Sequence, residues 1–196
     1  SRRARWRAVV TMDPLSLATW ANAVTVGRLL LSPVMFLVIP EHDRGAWGAF
    51  TLWFVLSLSD AIDGVIARRR GPTRSGAFLD PLADKVLVLG AMFTLVRYDV
   101  FPLLPVAVIA VREFVISIYR TVVGTRGVSM PASRLAKYKT LSQQLAVGFA
   151  LWPWFADGAS WAWLTFLWAA VVLAVVSGAQ YFLRGRVRRG ETVHAL

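Results

Sequence analysis

Ser59-Asp60-Ala61-Ile62-Asp63-Gly64-Val65-Ile66-Ala67-Arg68, then a short basic loop, then Gly76-Ala77-Phe78-Leu79-Asp80-Pro81-Leu82-Ala83-Asp84 is the stretch that decides how this chain reads. Four carboxylates, at 60, 63, 80 and 84, stand inside segments otherwise made for lipid. Charge in such a setting is expensive and therefore marks function. Spacings of three and four residues place each pair on one face of a helix, where two carboxylates repel unless something positive lies between them. A divalent cation is the simplest candidate.

The surrounding composition supports a membrane setting. Of 196 residues, 57% are hydrophobic and nine are Trp, and the mean hydropathy of +0.56 is too high for a soluble domain of this size. There is no Cys, which removes disulfides, thiolate metal sites and thiol nucleophiles together. Any metal ligands are therefore oxygens. Apolar stretches near membrane length occur at roughly 19–39, 46–67, 80–97, 101–123, 138–156 and 160–183. Several carry polar residues on one side, and those sides must turn toward a shared interior. The fold expected is all-α: a six-transmembrane-helix bundle with a polar, metal-containing cleft on the cytoplasmic side. It divides into a juxtamembrane segment over 1–18, the membrane domain over 19–185 and a basic tail over 186–196. No internal repeat separates two halves.

Orientation follows from the basic residues. Arg2, Arg3, Arg5 and Arg7 precede the first span; Arg68, Arg69, Arg70 and Arg74 follow the second; Arg120, Arg126, Arg134, Lys137 and Lys139 surround the fourth loop; Arg184, Arg186, Arg188 and Arg189 end the sixth. Seventeen of the 22 Lys and Arg thus fall on one side, while the other loops offer only Arg44 and Arg97. The asymmetry places both termini in the cytoplasm of a multi-pass cell-membrane protein. A net charge of +11 could also serve nucleic acid, but these arginines flank apolar spans, where anionic lipid head groups attract them. The first residues, basic around Trp6 and without the small-residue cleavage site of a signal peptide, read as a short interfacial helix.

On the second span Asp60, Asp63, Gly64 and Ala67 share one stripe. The two small residues admit either a close helix or a flat ligand. Gly71-Pro72 breaks that helix. Asp80 reads as the N-cap of the next one, with Pro81 at its first position; Asp84, one turn further in, cannot be a cap. Four carboxylates suit Mg²⁺, with Mn²⁺ or Ca²⁺ as substitutes. Two such ions about 4 Å apart can grip a phosphate and leave a carboxylate free to accept a proton. The chemistry implied is phosphoryl transfer at the membrane surface.

The run Asp60-x2-Asp63-Gly64-x2-Ala67-Arg68, followed by Gly76-x3-Asp80-x3-Asp84, resembles the signature of the CDP-alcohol phosphotransferases, integral membrane enzymes of six helices. One departure lies in the loop, where Arg69 to Ser75 supplies seven residues against the usual eight. The resemblance implies that Asp60, Asp63 and Asp80 ligate the metals, and that Asp84, also near them, is the general base. It implies further that Gly64 and Ala67 make room for cytidine, that Arg68 contacts the diphosphate, and that Arg74 and Gly76 belong to the same CDP-lipid site. Asn22 and Thr25, in a pattern Asn-x2-Thr-x2-Arg28 similar to that opening many family members, would form its rim. An acceptor hydroxyl would attack the β-phosphorus of a CDP-linked lipid and release CMP, and the enzyme would act as a homodimer.

The acceptor is read from Arg112-Glu113, Arg120, Ser133, Lys137, Lys139-Thr140 and Gln143. Arg112 and Glu113 alone would make a buried ion pair. The remaining cations lie on the cytoplasmic side, where basic groups beside an acidic, metal-filled site make a phosphate pocket; merely topological charge is the competing explanation. The spacing resembles that of phosphatidylglycerophosphate synthases, although Ala136 stands where those enzymes commonly have glycine. It implies CDP-diacylglycerol as donor and sn-glycerol 3-phosphate as acceptor, with Arg112, Arg120, Ser133, Lys137 and Lys139 around the acceptor phosphate. Phosphatidylglycerol, as in cardiolipin synthesis, and inositol phosphate are alternative acceptors. A divalent-cation transporter is the alternative of another class.

Overall fold

The computed structural model describes residues 20–41, 45–70, 76–125, 134–156 and 158–193, and the side chains over 25–41, 45–59, 82–122, 135–156 and 158–181. Every regular element among the described residues is a helix: α1 (Trp20–Val38), α2 (Trp47–Arg70), α3 (Gly76–Arg97), α4 (Leu103–Thr125), α5 (Arg134–Leu151), α6 (Pro153–Ala156) and α7 (Ser160–Val193). The six long helices correspond to the six apolar stretches. The interfacial helix expected before residue 19 lies outside the described residues, whereas α7 continues without a break from the last apolar stretch through the basic segment as far as Val193.

Two further helices, α5 and α3, differ from the sequence reading in their boundaries. The stretch expected over 138–156 begins a turn earlier, at Arg134, and stops at Leu151. The Trp152 amide still donates to Gly148 O at 3.0 Å, but Pro153 has no amide to continue the ladder, and the chain resumes as the single turn α6. More consequential is the start of α3 at Gly76. Asp80 is therefore not an N-cap but lies inside the helix, one turn before Asp84, so capping no longer accounts for it.

The connection from α3 to α4 is tight. Asp99 takes φ 57°, the left-handed conformation that commonly ends helices and that Asp tolerates better than branched residues. The amides of Val100 and Phe101 both return to Leu95 O, at 2.9 and 3.1 Å. Further back along α3, α1 packs so closely that a Cβ on Gly90 would overlap the Phe36 ring. Glycine is required there by contact, not by φ.

The core is one cluster, running from Met35 on α1 through Leu87, Met92 and Leu95 on α3, Ile109 on α4 and Val147 on α5 to Trp163 and Leu167 on α7. The most extensive helix contacts are α5 on α7 and α1 on α3. Outside this core the surface remains strongly apolar: Leu37 is 85% exposed, and Phe114 and Ile118 on α4 and Trp154 on α6 are largely exposed as well. A soluble monomer rarely presents so much apolar area; a helical bundle facing lipid does. Among the described residues, the segment Ser160–Tyr181 is long and apolar enough by itself to cross a membrane. The other long helices carry polar residues that break such a run, and among the described residues Thr25, Arg28, Ser32, Glu113, Lys139 and Gln143 are buried.

Candidate functional site

The four aspartates fall on two consecutive helices, Asp60 and Asp63 near the C-terminal end of α2 and Asp80 and Asp84 in the first turns of α3. Only a short connection over 71–75 separates those ends, so topology brings the two acidic pairs to the same end of the bundle. The side chains of Asp60, Asp63 and Asp80, with Gly64, Ala67 and Arg68 on α2, lie outside those described, as do Arg74 and Ser133 altogether. Gly76 is the first residue of α3. Asp84 is half-buried, and its carboxylate stands within electrostatic reach of both Lys85 and Lys139.

The level of the other helices relative to the aspartates can be read from contacts. Ala46 N donates to Leu151 O at 3.3 Å, and Trp53 Nε1 donates to Gln144 O at 3.3 Å while lying against Gly148. Residue numbers rise along α2 as they fall along α5, so the helices are antiparallel. Continuing that register puts Asp60 level with the turn of α5 that carries Lys139. On the other side, Lys85 donates to Ser117 Oγ on α4, and Ser117 in turn donates to Glu113 O at 2.6 Å.

Beneath the acidic end lies a buried ionic cluster. Glu113, 8% exposed, accepts from Lys139 on α5, itself 4% exposed, and from Arg112 Nη1 at 3.0 Å. Arg112 also donates from Nη2 to Ser177 Oγ at 2.8 Å and from Nε to Ala174 O at 3.2 Å. Adjacent residues on a helix point about 100° apart, so Glu113 faces α5 while Arg112 reaches α7, and the pair ties three helices together. The expected Arg112–Glu113 ion pair is present. Its extension to Lys139, Ser177 and, through Ser117, Lys85 was not read from sequence. The available signal was weak: isolated hydroxyls and one acid in apolar spans, whose partners lie 26 to 65 positions away.

The residues assigned to the acceptor phosphate therefore divide. Arg112 and Lys139 already have protein partners, whereas Arg120 and Lys137 are exposed, and Arg120 lies within electrostatic reach of Lys85. On α1, Thr25 is buried, as are Arg28 and Ser32 one and two turns on, so that polar stripe faces the bundle interior; the side chain of Asn22 lies outside those described. An apolar groove between α4 and α7, lined by Val111, Val115, Val175 and Gly178 with Arg112 at its floor, does not include Asp84.

As to a metal, the donors are all oxygens and lie at i, i+3 and i, i+4 on helices joined end to end. That set fits a hard divalent cation. Asp60, Asp63, Asp80 and Asp84 would hold it, and the nearby Lys85 and Lys139 would help to balance the excess of carboxylate.

Residues 18–176 match the family model described as CDP-alcohol phosphatidyltransferase. The chain is 36% identical over 186 residues to the CDP-diacylglycerol--glycerol-3-phosphate 3-phosphatidyltransferase of Bacillus subtilis (strain 168), covering 82% of this chain and 92% of the relative. A protein of the same name from Rickettsia typhi is 34% identical over 166 residues, covering 82% of this chain and 93% of its own length. Another from Cereibacter sphaeroides is 28% identical over 205 residues, with 82% and 92% covered.

Proposed function

Because this chain belongs to the CDP-alcohol phosphatidyltransferase family, we propose that it transfers the phosphatidyl group of CDP-diacylglycerol to sn-glycerol 3-phosphate, forming phosphatidylglycerol phosphate and CMP. The observation that carries this reading is the match over nearly the whole length of relatives named for that reaction, with all four aspartates inside the matched span. Acceptor choice follows the same relatives, which places phosphatidylglycerol and inositol phosphate second. The transport alternative is set aside by the family.

In this reading the helices span the membrane six times, with both termini and the acidic end in the cytoplasm. Support comes from the apolar outer surface and from the tryptophans gathered at the opposite end, where Trp154 lies 6.2 Å from Trp47 and 6.1 Å from Trp152 between ring centres. Such residues favour the boundary between lipid and water. Membrane depth then separates the two ends.

The reaction forms a bond between the acceptor C1 oxygen and the β-phosphorus and breaks the bond from that phosphorus to the oxygen that departs with CMP. When bound, one or two Mg²⁺, or Mn²⁺ in their place, would offset charge on the phosphoryl oxygens and on the leaving phosphate. Asp84 accepts the proton of the attacking hydroxyl. It is suited to this because it lies one turn deeper than Asp80 and is half-buried. Gly64 and Ala67 leave space for the nucleotide, Arg68 and Arg74 neutralise the diphosphate, and Asn22, Thr25 and Gly76 border the site. Arg120, Lys137 and Ser133 draw in the acceptor phosphate from the cytoplasm, while Arg112 and Lys139, held by Glu113, line one side of that pocket. The active unit is a homodimer.

The test is incubation of the purified chain with CDP-diacylglycerol and each acceptor in turn, with CMP as the readout. CMP formed with glycerol 3-phosphate in preference to phosphatidylglycerol or inositol phosphate is the expected result; preference for either of the others would reject the assignment.

A further inference from the structure

One turn deeper than the ionic cluster, two neutral polar groups are buried and without hydrogen-bond partners among the described residues: Gln143 Nε2 on α5 and Ser57 Oγ on α2. Gln143 is 3% exposed. It lies on the same face of α5 as Lys139, one turn further from the cytoplasm. Ser57 continues the Asp60–Gly64 stripe of α2 in the same direction. The antiparallel register set by Ala46–Leu151 and Trp53–Gln144 brings Ser57 level with the turn of α5 that spans residues 140 to 144. Both groups therefore extend the acidic end of the cleft inward, on facing helices.

Trp152 Nε1, at the other end of the bundle, is also buried without a hydrogen-bond partner among the described residues, but Ser57 differs from other hydroxyls on the helices. Ser32, Thr94, Ser117 and Thr140 all donate to the carbonyl four residues earlier in their own helices, the usual recourse of a helical hydroxyl in apolar surroundings. Ser57 does not take it. A buried amide donor with no acceptor is likewise destabilising and uncommon in a settled core. Two such groups at one level, a turn inward from the acidic end of the bundle, indicate a polar ligand that completes them.

The chemistry of the pair selects that ligand. Gln143 offers a donor, and Ser57 can donate or accept; neither carries charge, and Trp53, Ala146 and Val147 nearby are buried and apolar. A phosphate would be stranded there, since the cations lie a turn or more above. A neutral hydroxyl fits. Resting on the acceptor assigned above, we propose that Gln143 and Ser57 form the subsite for the acceptor hydroxyl that does not react, the C2 hydroxyl of sn-glycerol 3-phosphate. The phosphate stays with the exposed cations and the C1 hydroxyl remains beside Asp84. These two side chains are then specificity-determining residues: they favour a polyol phosphate over a simple hydroxyalkyl phosphate.

The test compares sn-glycerol 3-phosphate with 3-hydroxypropyl phosphate, which keeps the reacting hydroxyl and the phosphate and lacks only the C2 hydroxyl. CMP release by the full chain in mixed micelles with CDP-diacylglycerol is measured for the wild type, Gln143→Leu and Ser57→Ala. The wild type is expected to prefer glycerol 3-phosphate by at least about tenfold in kcat/KM, since a site that pairs a buried hydroxyl discriminates against its absence. Gln143→Leu should bring that ratio toward one by slowing the glycerol 3-phosphate reaction alone. Ser57→Ala, which removes a single oxygen and leaves the helix intact, should shift it in the same direction. The KM for CDP-diacylglycerol should not move in either variant. If both acceptors lose rate by the same factor, or the ratio is unchanged in Ser57→Ala, the groups merely hold a structural water and the subsite is rejected. Lack of CMP from the wild type with every acceptor would overturn the catalytic reading itself, and this inference with it.

Discussion

Replacing Glu113 by Ala removes the carboxylate that, among the described residues, neutralises both Lys139 and Arg112. The side chains concerned are 5%, 10% and 11% exposed, so water cannot replace the missing partner. Breaking a buried ion pair from one side strands the opposite charge and costs about 3–5 kcal/mol. Here two cations are stranded, but Arg112 keeps its bonds to Ser177 Oγ and Ala174 O, so the loss should stay within that range. For a chain of this length it corresponds to a fall in Tm on the order of 10 °C. The assay is thermal unfolding in detergent, followed by Trp fluorescence, of Glu113→Ala, Lys139→Met and the double variant. Each single change should destabilise strongly, and the double variant should recover a large part of the loss because Lys139→Met removes one of the two stranded charges. Single variants within about 1 kcal/mol of wild type, as at exposed ion pairs, or strictly additive effects in the double variant, would refute a buried and coupled network.

Asp84→Asn should abolish CMP formation while CDP-diacylglycerol still binds, because it removes a proton acceptor more than a ligand; wild-type turnover would reject the base assignment. Arg120→Ala and Lys137→Ala should raise KM for glycerol 3-phosphate severalfold more than for the CDP-lipid, and equal effects in steady-state assays would dissolve the proposed phosphate pocket. Lys139→Ala, by contrast, should lower stability as well as rate, since its partner Glu113 is buried. Gly90→Ala forces the Phe36 ring out of its place on α3 and should cost about 1–3 kcal/mol; an unchanged melting curve would show that α1 can yield there. Chelation of divalent ions should eliminate CMP release and added Mg²⁺ should restore it, and activity that survives exhaustive chelation would rule out the carboxylate site as a metal centre.

Helix packing sharpens the reading of residues that the sequence leaves together. The resemblance to phosphatidylglycerophosphate synthases implies Arg112, Lys139, Arg120 and Lys137 alike around the acceptor phosphate. In the folded chain the first two are engaged with Glu113 and α7, while the latter two remain exposed. Their roles divide accordingly, into support and capture. Asp80 changed in the opposite direction: once α3 is seen to begin at Gly76, its position within the helix can no longer be explained by a cap.

What the linear sequence determined by itself is whatever depends on neighbours three, four or about twenty residues away. Apolar runs, the i+3 and i+4 spacing of the aspartates and the placement of arginines between runs dictate helices, their number and the acidic face, because helix geometry turns short-range order directly into spatial order. The break at Pro153 is local in origin as well, but the apolar run over 138–156 conceals it. Only the tertiary structure decided which buried charges meet, since Glu113 and Lys139, Lys85 and Ser117, or Arg112 and Ser177 are brought together by the packing of whole helices, and no local preference encodes those distances. The same holds for Gln143 and Ser57, whose want of partners becomes visible only when every neighbouring helix is in place.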